Sequence, residues 1–237
     1  MRIIFIRHGD PDYVNDTLTE KGRVEAELLS ERVKKWEVKE FYCSPLGRAR
    51  DTADYSLRKM GRQAHICDWL QEFYYPIQDP KTGGKRIAWD FMPDYWTREP
   101  LMYDKDNWVK APIMKTGEIE EKYKLVTGRL DKLISKYGYE RCENYYKAVR
   151  PNRDVIVIFC HLGVTFVMLS HLLGISAPVL WQQFFIAPTS VTEVCTEERE
   201  KGNAAFRVKK FGDVSHLYAA GQVPSNSGFF SETFEHI

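Results

Sequence analysis

Asp154-Val155-Ile156-Val157-Ile158-Phe159-Cys160-His161-Leu162-Gly163 is the stretch on which the fold turns. Six consecutive apolar residues have the composition of a strand covered on both faces, the hallmark of a parallel sheet between helical layers. The run is far short of the roughly 20 residues that cross a bilayer, so it reads as the middle of a sheet. Residues 164–173 then form an apolar helix stopped at Gly174. The N-terminus repeats the arrangement: Ile3-Ile4-Phe5-Ile6 is a second short buried strand, with Arg7-His8-Gly9 directly behind it.

Between these strands the pattern alternates. Thr19 is a candidate N-cap for a helix carrying Val24, Leu28, Leu29 and Val33 and reaching about Trp36. Residues 40–43 form a strand, after which Ser44 reads as an N-cap with Pro45 at the first helical position. The helix that follows carries Arg48 and Thr52 and runs to near Met60. A weaker strand is expected at 64–67, a long amphipathic helix from Ile119 to near Gly138, and strands at 190–196 and 205–211. Such alternation predicts one α/β domain over 1–237, a three-layer αβα sandwich around a mostly parallel sheet. Residues 73–108 break the pattern, holding nine aromatics, Pro76, Pro80, Pro93 and Pro100 with no sustained period. An insertion over about 73–115 is therefore expected to lie outside the core layers, as a lid or binding loop. The stretch from about 222 reads as a C-terminal tail.

Composition narrows the partners. Of 237 residues, 34 are basic and 33 acidic, so the net charge of +1 gives no global field for nucleic acid or an anionic membrane. The local run Arg32, Lys34, Lys35 and Lys39 reads as a solvated helix end. Five cysteines without a Cys-x-x-Cys pair argue against disulfides and zinc and read as reduced, mainly buried thiols. Residues 2–6 are too few for a signal-peptide core, so a cytoplasmic protein is expected.

Ligands of open α/β sheets gather beyond the carboxyl ends of the strands. Three strands here end in groups of one chemical kind: Arg7-His8, Ser44-Pro45 leading to Arg48, and His161. Two guanidinium groups, two imidazoles and helix N-termini facing one point make a pocket for a dianion such as a phosphoryl group. Binding alone needs no imidazole, whereas phosphoryl transfer needs a nucleophile whose lone pair is free at neutral pH. One of the two histidines meets that need, and the other can stabilise the equatorial oxygens. The leaving oxygen needs a proton, for which Glu72 and Asp10 are the candidates. Cys43 to Arg48 has four intervening residues and a proline, which fails the Cys-x5-Arg of thiolate phosphatases. Asp10-Pro11-Asp12 superficially matches the Asp-x-Asp of metal-dependent phosphatases but lies four residues past the strand. His65, His171, His216 and His236 have no ligand spacing and read as structural.

At these residues the sequence resembles the histidine phosphatase superfamily, the phosphoglycerate mutase-like enzymes. Arg7-His8-Gly9 matches its opening signature, and Ser44-Pro45-Leu46-Gly47-Arg48-Ala49-Arg50-Asp51-Thr52-Ala53 matches its Ser-Pro-Leu-x-Arg-Ala-x-x-Thr-Ala segment throughout. Leu18-Thr19-Glu20-Lys21-Gly22 looks like its Leu-Thr-x-x-Gly, Leu70-Gln71-Glu72 like its Leu-x-Glu, and Cys160-His161-Leu162-Gly163 approximately like its His-Gly strand end. The resemblance implies a phosphoglycerate mutase-like fold and a metal-independent phosphomonoester hydrolase without cofactor, acting on a small phosphorylated metabolite. It implies that His8 is phosphorylated, that Arg7, Arg48 and His161 hold the phosphoryl oxygens and that Glu72 is the proton donor. Asp10, on the His8 loop, is expected among the phosphate contacts. A mutase using the same pocket, or a phospho-ligand binding module without turnover, are the alternatives.

Overall fold

Alternate residues of the buried strands face opposite layers, and that alternation sorts the core. The computed structural model describes residues 1–229. In chain order its elements are β1 (Arg2–Arg7), β2 (Pro11–Asp12), β3 (Thr17–Leu18), α1 (Glu20–Val33), β4 (Glu40–Cys43), α2 (Gly47–Met60) and β5 (Ala64–Ile66). There follow β6 (Pro76–Gln78), β7 (Lys85–Ile87), α3 (Pro93–Trp96), α4 (Ile119–Lys136), β8 (Tyr139–Cys142), β9 (Tyr145–Ala148) and β10 (Val155–Cys160). The last are α5 (Leu162–Leu173), α6 (Ala177–Gln183), β11 (Val191–Glu200), β12 (Asn203–Asp213) and α7 (Ser215–Tyr218). Ile4, Ile6, Val155, Val157 and Phe159 pack with Leu29 and Val33 of α1 and Ala49 and Ala53 of α2. Ile3, Phe5, Ile156, Ile158 and Cys160 point the other way, into a larger cluster with α4 and α5. This is the α/β sandwich expected, with β10 buried at every position.

The sheet runs β5-β4-β10-β1-β11-β12-β9-β8. Its first four strands are mutually parallel, and β1 then pairs antiparallel with β11, as do β11 with β12, β12 with β9 and β9 with β8. The parallel block carries the strand ends of interest, and the antiparallel half extends the sheet. The β8–β9 hairpin and α6 were not expected from the sequence, because both are short and lack a clear period.

Local differences have local causes. Helix α1 ends at Val33, not Trp36, and its buried face is Gly22, Glu25, Ala26, Leu29, Ser30 and Val33. Val24 is exposed, since it falls between the rows at 3–4 residue spacing that meet the sheet. Thr19 caps this helix as expected, accepting from Gly22 N. Residues 73–115 are not outside the core: Trp96, Met102, Trp108, Val109, Ile113 and Met114 belong to the same apolar cluster as Ile156 and Ile158. Their spacing follows no period because short 3-10 turns, α3 and the β6–β7 hairpin each contribute only one or two buried positions. Of the five unpaired cysteines only Cys43 and Cys160 are fully buried. Among the described residues no helix is long and apolar enough to cross a membrane.

Candidate active site

Strand register brings the chemistry together. Arg7 lies opposite Cys160 across the β1–β10 pair, and Phe159 lies opposite Cys43 across β10–β4. The pairing continues one step further, with His8 N donating to Cys160 O at 3.0 Å and Ser44 N to Phe159 O at 2.9 Å. His8, Ser44 and His161 therefore leave the sheet side by side. The His8 and His161 rings stand 5.1 Å apart between centroids at 57°. Both residues and Arg7 are buried.

His8 Nδ1 lies 2.7 Å from Gly9 O. A carbonyl only accepts, so the hydrogen is assigned to Nδ1 and the lone pair to Nε2. Burial holds the His8 pKa well below its ordinary 6.5, with the Arg7 charge adding to the effect. His161 is lowered likewise, by burial first and then by His8, Arg48 and Arg7. Its Nε2 is 2.8 Å from Ser44 Oγ. Ser44 is thus not a helix cap: α2 begins at Gly47 with Leu46 in the cap position and no side-chain capping bond. The hydroxyl accepts from Leu46 N at 3.3 Å and turns to the histidine 117 residues away.

Arg7 donates from Nη1 to Ile186 O at 2.7 Å and from Nη2 to Ser227 O at 2.8 Å, over the Phe185 ring. Arg48 donates from Nη1 to Asp16 Oδ1 at 2.5 Å, over the Tyr13 ring. The same Asp16 carboxylate accepts from Gly47 N at 2.6 Å through Oδ2, at the N-terminus of α2. Arg7 Nε, Arg48 Nε and His161 Nδ1 remain buried without a protein partner, three of five such side-chain atoms among the described residues. Buried polar nitrogens on residues that act electrostatically on one another, left unpaired by the protein, are the groups an oxyanion satisfies.

The two carboxylates considered from the sequence differ sharply in setting. Glu72 lies at the start of α5, where Oε1 accepts from Phe73 N at 2.7 Å and Val164 N at 2.9 Å and Oε2 from Gly163 N at 3.1 Å. A Cβ on Gly163 would come within 2.7 Å of Glu72 Oε1 and 2.9 Å of Trp89 Nε1, so any larger residue here displaces the ends of those two side chains. Asp10 is tied elsewhere: it accepts from Thr19 Oγ1 at 2.7 Å and from Ser225 Oγ. Both its oxygens serve the join between the His8 loop, α1 and the tail, which runs against the expected phosphate contact and against the proton-donor role.

Several supporting residues were not expected. Thr52 Oγ1 accepts from Gly9 N at 2.9 Å and donates to Arg48 O at 2.7 Å, linking both signature segments. Thr189, at a positive φ of 57°, donates its N–H to the carbonyls of Arg7 and His8, each at 3.1 Å. The segment 222–229 also reaches the site, through Ser227 O on Arg7 and Ser225 N on Glu25 Oε1 at 3.2 Å. Thr52 stands within the Ser44–Ala53 segment already singled out, whereas the Thr189 and 222–229 contacts have no signal in the sequence, since each acts over more than 180 residues. His65, His171 and His216 lie outside the site, against Glu40, Asp131 and Thr189. His236 and the rest of the tail past 229 lie outside the described residues.

A parallel-sheet edge presenting two imidazoles and two guanidinium groups defines a phosphoryl-handling protein. The chain matches the Histidine phosphatase superfamily (branch 1) over residues 3–208, and it belongs to that superfamily. A Schizosaccharomyces pombe protein named "Probable phosphatase C1687.21" is 23% identical over 232 residues, covering 92% of this chain and 95% of its own. The adenosylcobalamin/alpha-ribazole phosphatase of Salmonella typhi is 25% identical over 193 residues, 76% of this chain and 84% of its own. A phosphoserine phosphatase mutant from Entamoeba histolytica, solved with phosphoserine, superimposes with a TM-score of 0.59 at 17% identity, over 91% of this chain and 98% of that one. A mycobacterial glucosyl-3-phosphoglycerate phosphatase complexed with VO3 gives 0.59 at 18% identity, over 89% and 98%. These solved structures share the fold.

Proposed function

We propose that the chain hydrolyses a phosphomonoester through a phosphohistidine on His8. The observation that carries this reading is the neutral His8 ring, anchored at Nδ1, lying 5.1 Å from His161 and within the fields of the buried Arg7 and the partly buried Arg48. In the first step the Nε2 lone pair attacks phosphorus in line with the ester oxygen, the N–P bond forms and the P–O bond breaks. Glu72 gives its proton to the departing alkoxide. Arg7, Arg48 and His161 stabilise the charge spread over the equatorial oxygens, for which Arg7 Nε, Arg48 Nε and His161 Nδ1 are the unpaired donors. In the second step Glu72 takes a proton from water, whose oxygen attacks phosphorus, and the bond to Nε2 breaks to release phosphate.

Burial supports the nucleophile, since it keeps His8 unprotonated at neutral pH. Once phosphorylated, the ring gains the phosphoryl charge beside Arg7 and Arg48. Phosphate release from p-nitrophenyl phosphate tests the reading: wild type turns it over and His8→Ala loses at least ~1,000-fold in kcat. Equal rates for both proteins, or isomerisation of a phosphoglycerate without net phosphate release, would replace hydrolysis with another function.

A further inference from the structure

Next to the phosphoryl pocket runs a groove of about 710 Å3, a volume ordinary for a small-molecule site. Its walls are Trp89, Phe91 and Met92 from the inserted segment and Trp181, Phe184 and Phe185 from α6 and the loop after it. Two contacts tie it to the chemistry. The Phe185 ring lies 5.7 Å from the Arg7 guanidinium carbon, and Trp89 Nε1 shares with Glu72 the space beside Gly163. The groove therefore lies one side chain away from Arg7, through Phe185, and one from Glu72, through Trp89.

Its charges and its indole N–H groups are spoken for. Arg86 and Asp90 are the charged residues in the lining, and they pair at 3.3 Å. Arg86 Nε also donates to Asp79 Oδ2 at 2.6 Å. The indole N–H of Trp181 donates to Gly163 O at 3.0 Å, that of Trp89 to Phe73 O at 3.1 Å, and Gln182 Nε2 to Trp89 O at 3.0 Å. Beside the exposed Gln183 amide, what faces the groove is ring and thioether surface, with Phe184 44% and Met92 43% exposed. An anionic leaving group would find no unmatched cation there, whereas an apolar one would cover surface now in water.

We propose that the groove receives the alcohol half of the substrate, and that this half is an apolar, ring-sized body without a carboxylate or second phosphate. The inference rests on the phosphatase reading and narrows its substrate class. Three primary-alcohol phosphates of similar leaving-group basicity test it on the full chain: 2-phenylethyl phosphate, glycerol 3-phosphate and phosphoserine. The expected kcat/KM for 2-phenylethyl phosphate is at least about tenfold above the other two. Phe184→Arg, which adds an unmatched cation, is expected to narrow the gap to phosphoserine about tenfold. Equal constants, or a preference for phosphoserine or glycerol 3-phosphate, would overturn the inference. Binding separates it from hydrolysis: 2-phenylethylphosphonate is expected to bind at least about tenfold tighter than methylphosphonate. If no ester is turned over but that difference holds, the hydrolase reading falls and the groove stands; equal binding of the two phosphonates removes the groove.

Discussion

Ser44 shows how one hydroxyl can be read two ways. Before Pro45 it looks like a helix cap, yet its Oγ lies 2.8 Å from His161 Nε2. Assigning the Ser44 hydroxyl proton to the bond with Nε2 gives His161 the tautomer with hydrogen on Nδ1, the buried nitrogen that lacks a protein partner. Ser44→Ala is therefore expected to lower kcat about tenfold, and to cost nothing further in a His161→Ala background; independent, additive losses in the double-mutant cycle would contradict the pairing. Gly163 carries the second prediction at this scale. A methyl there meets the Glu72 carboxylate, so Gly163→Ala is expected to slow alkyl phosphates by ~100-fold while slowing p-nitrophenyl phosphate much less, because p-nitrophenolate leaves without a proton. A uniform loss across both substrates would show that Glu72 is not the acid.

At the scale of elements, Asp16 links a loop to a helix start. One oxygen holds Arg48 and the other accepts from the α2 amide of Gly47. Asp16→Ala is expected to raise KM about tenfold by freeing Arg48 and to lower stability by about 1 kcal/mol through the loss of that N-terminal contact. Unchanged KM with lowered stability would restrict Asp16 to a structural part. The residues at strand ends were legible in the sequence because a buried apolar run marks its own end: Arg7, His8 and His161 follow such runs directly. Arg48 was legible through its fixed distance from Ser44. Asp16 and Thr189 were not, because the groups they hold lie 31 to 182 positions off and each acts through a backbone group or one oxygen, which leaves no period or composition. The core role of 73–115 was hidden for a related reason: turns too short to establish a repeat supply its buried residues singly.

For the whole molecule, buried neutral histidines set the response to acid. His8 and His161 are held well below 6.5, and burial with the Arg32 charge lowers His216 to about 4. The unfolded chain takes up these protons near pH 6.5 and the folded chain does not, so stability is full above 6.5 and falls as pH drops toward 4. Each histidine that stays neutral contributes up to about 1.4 kcal/mol of loss per pH unit below 6.5. Glu25, raised by burial, acts in the opposite sense as it protonates. The expected result is a Tm that decreases steadily from pH 7 to pH 5, with a shallower slope in His216→Gln. A Tm that is flat or rises over that range would contradict neutral burial.

The same geometry makes its strongest claim at one nitrogen. Rapid acid-avoiding quench of the enzyme with 32P-labelled p-nitrophenyl phosphate, followed by peptide mass spectrometry, reads the intermediate directly. The account predicts alkali-stable, acid-labile label on the peptide holding Arg7-His8-Gly9, absent in His8→Ala. Label on the peptide holding His161, or turnover with no phosphoenzyme at any time, would contradict it.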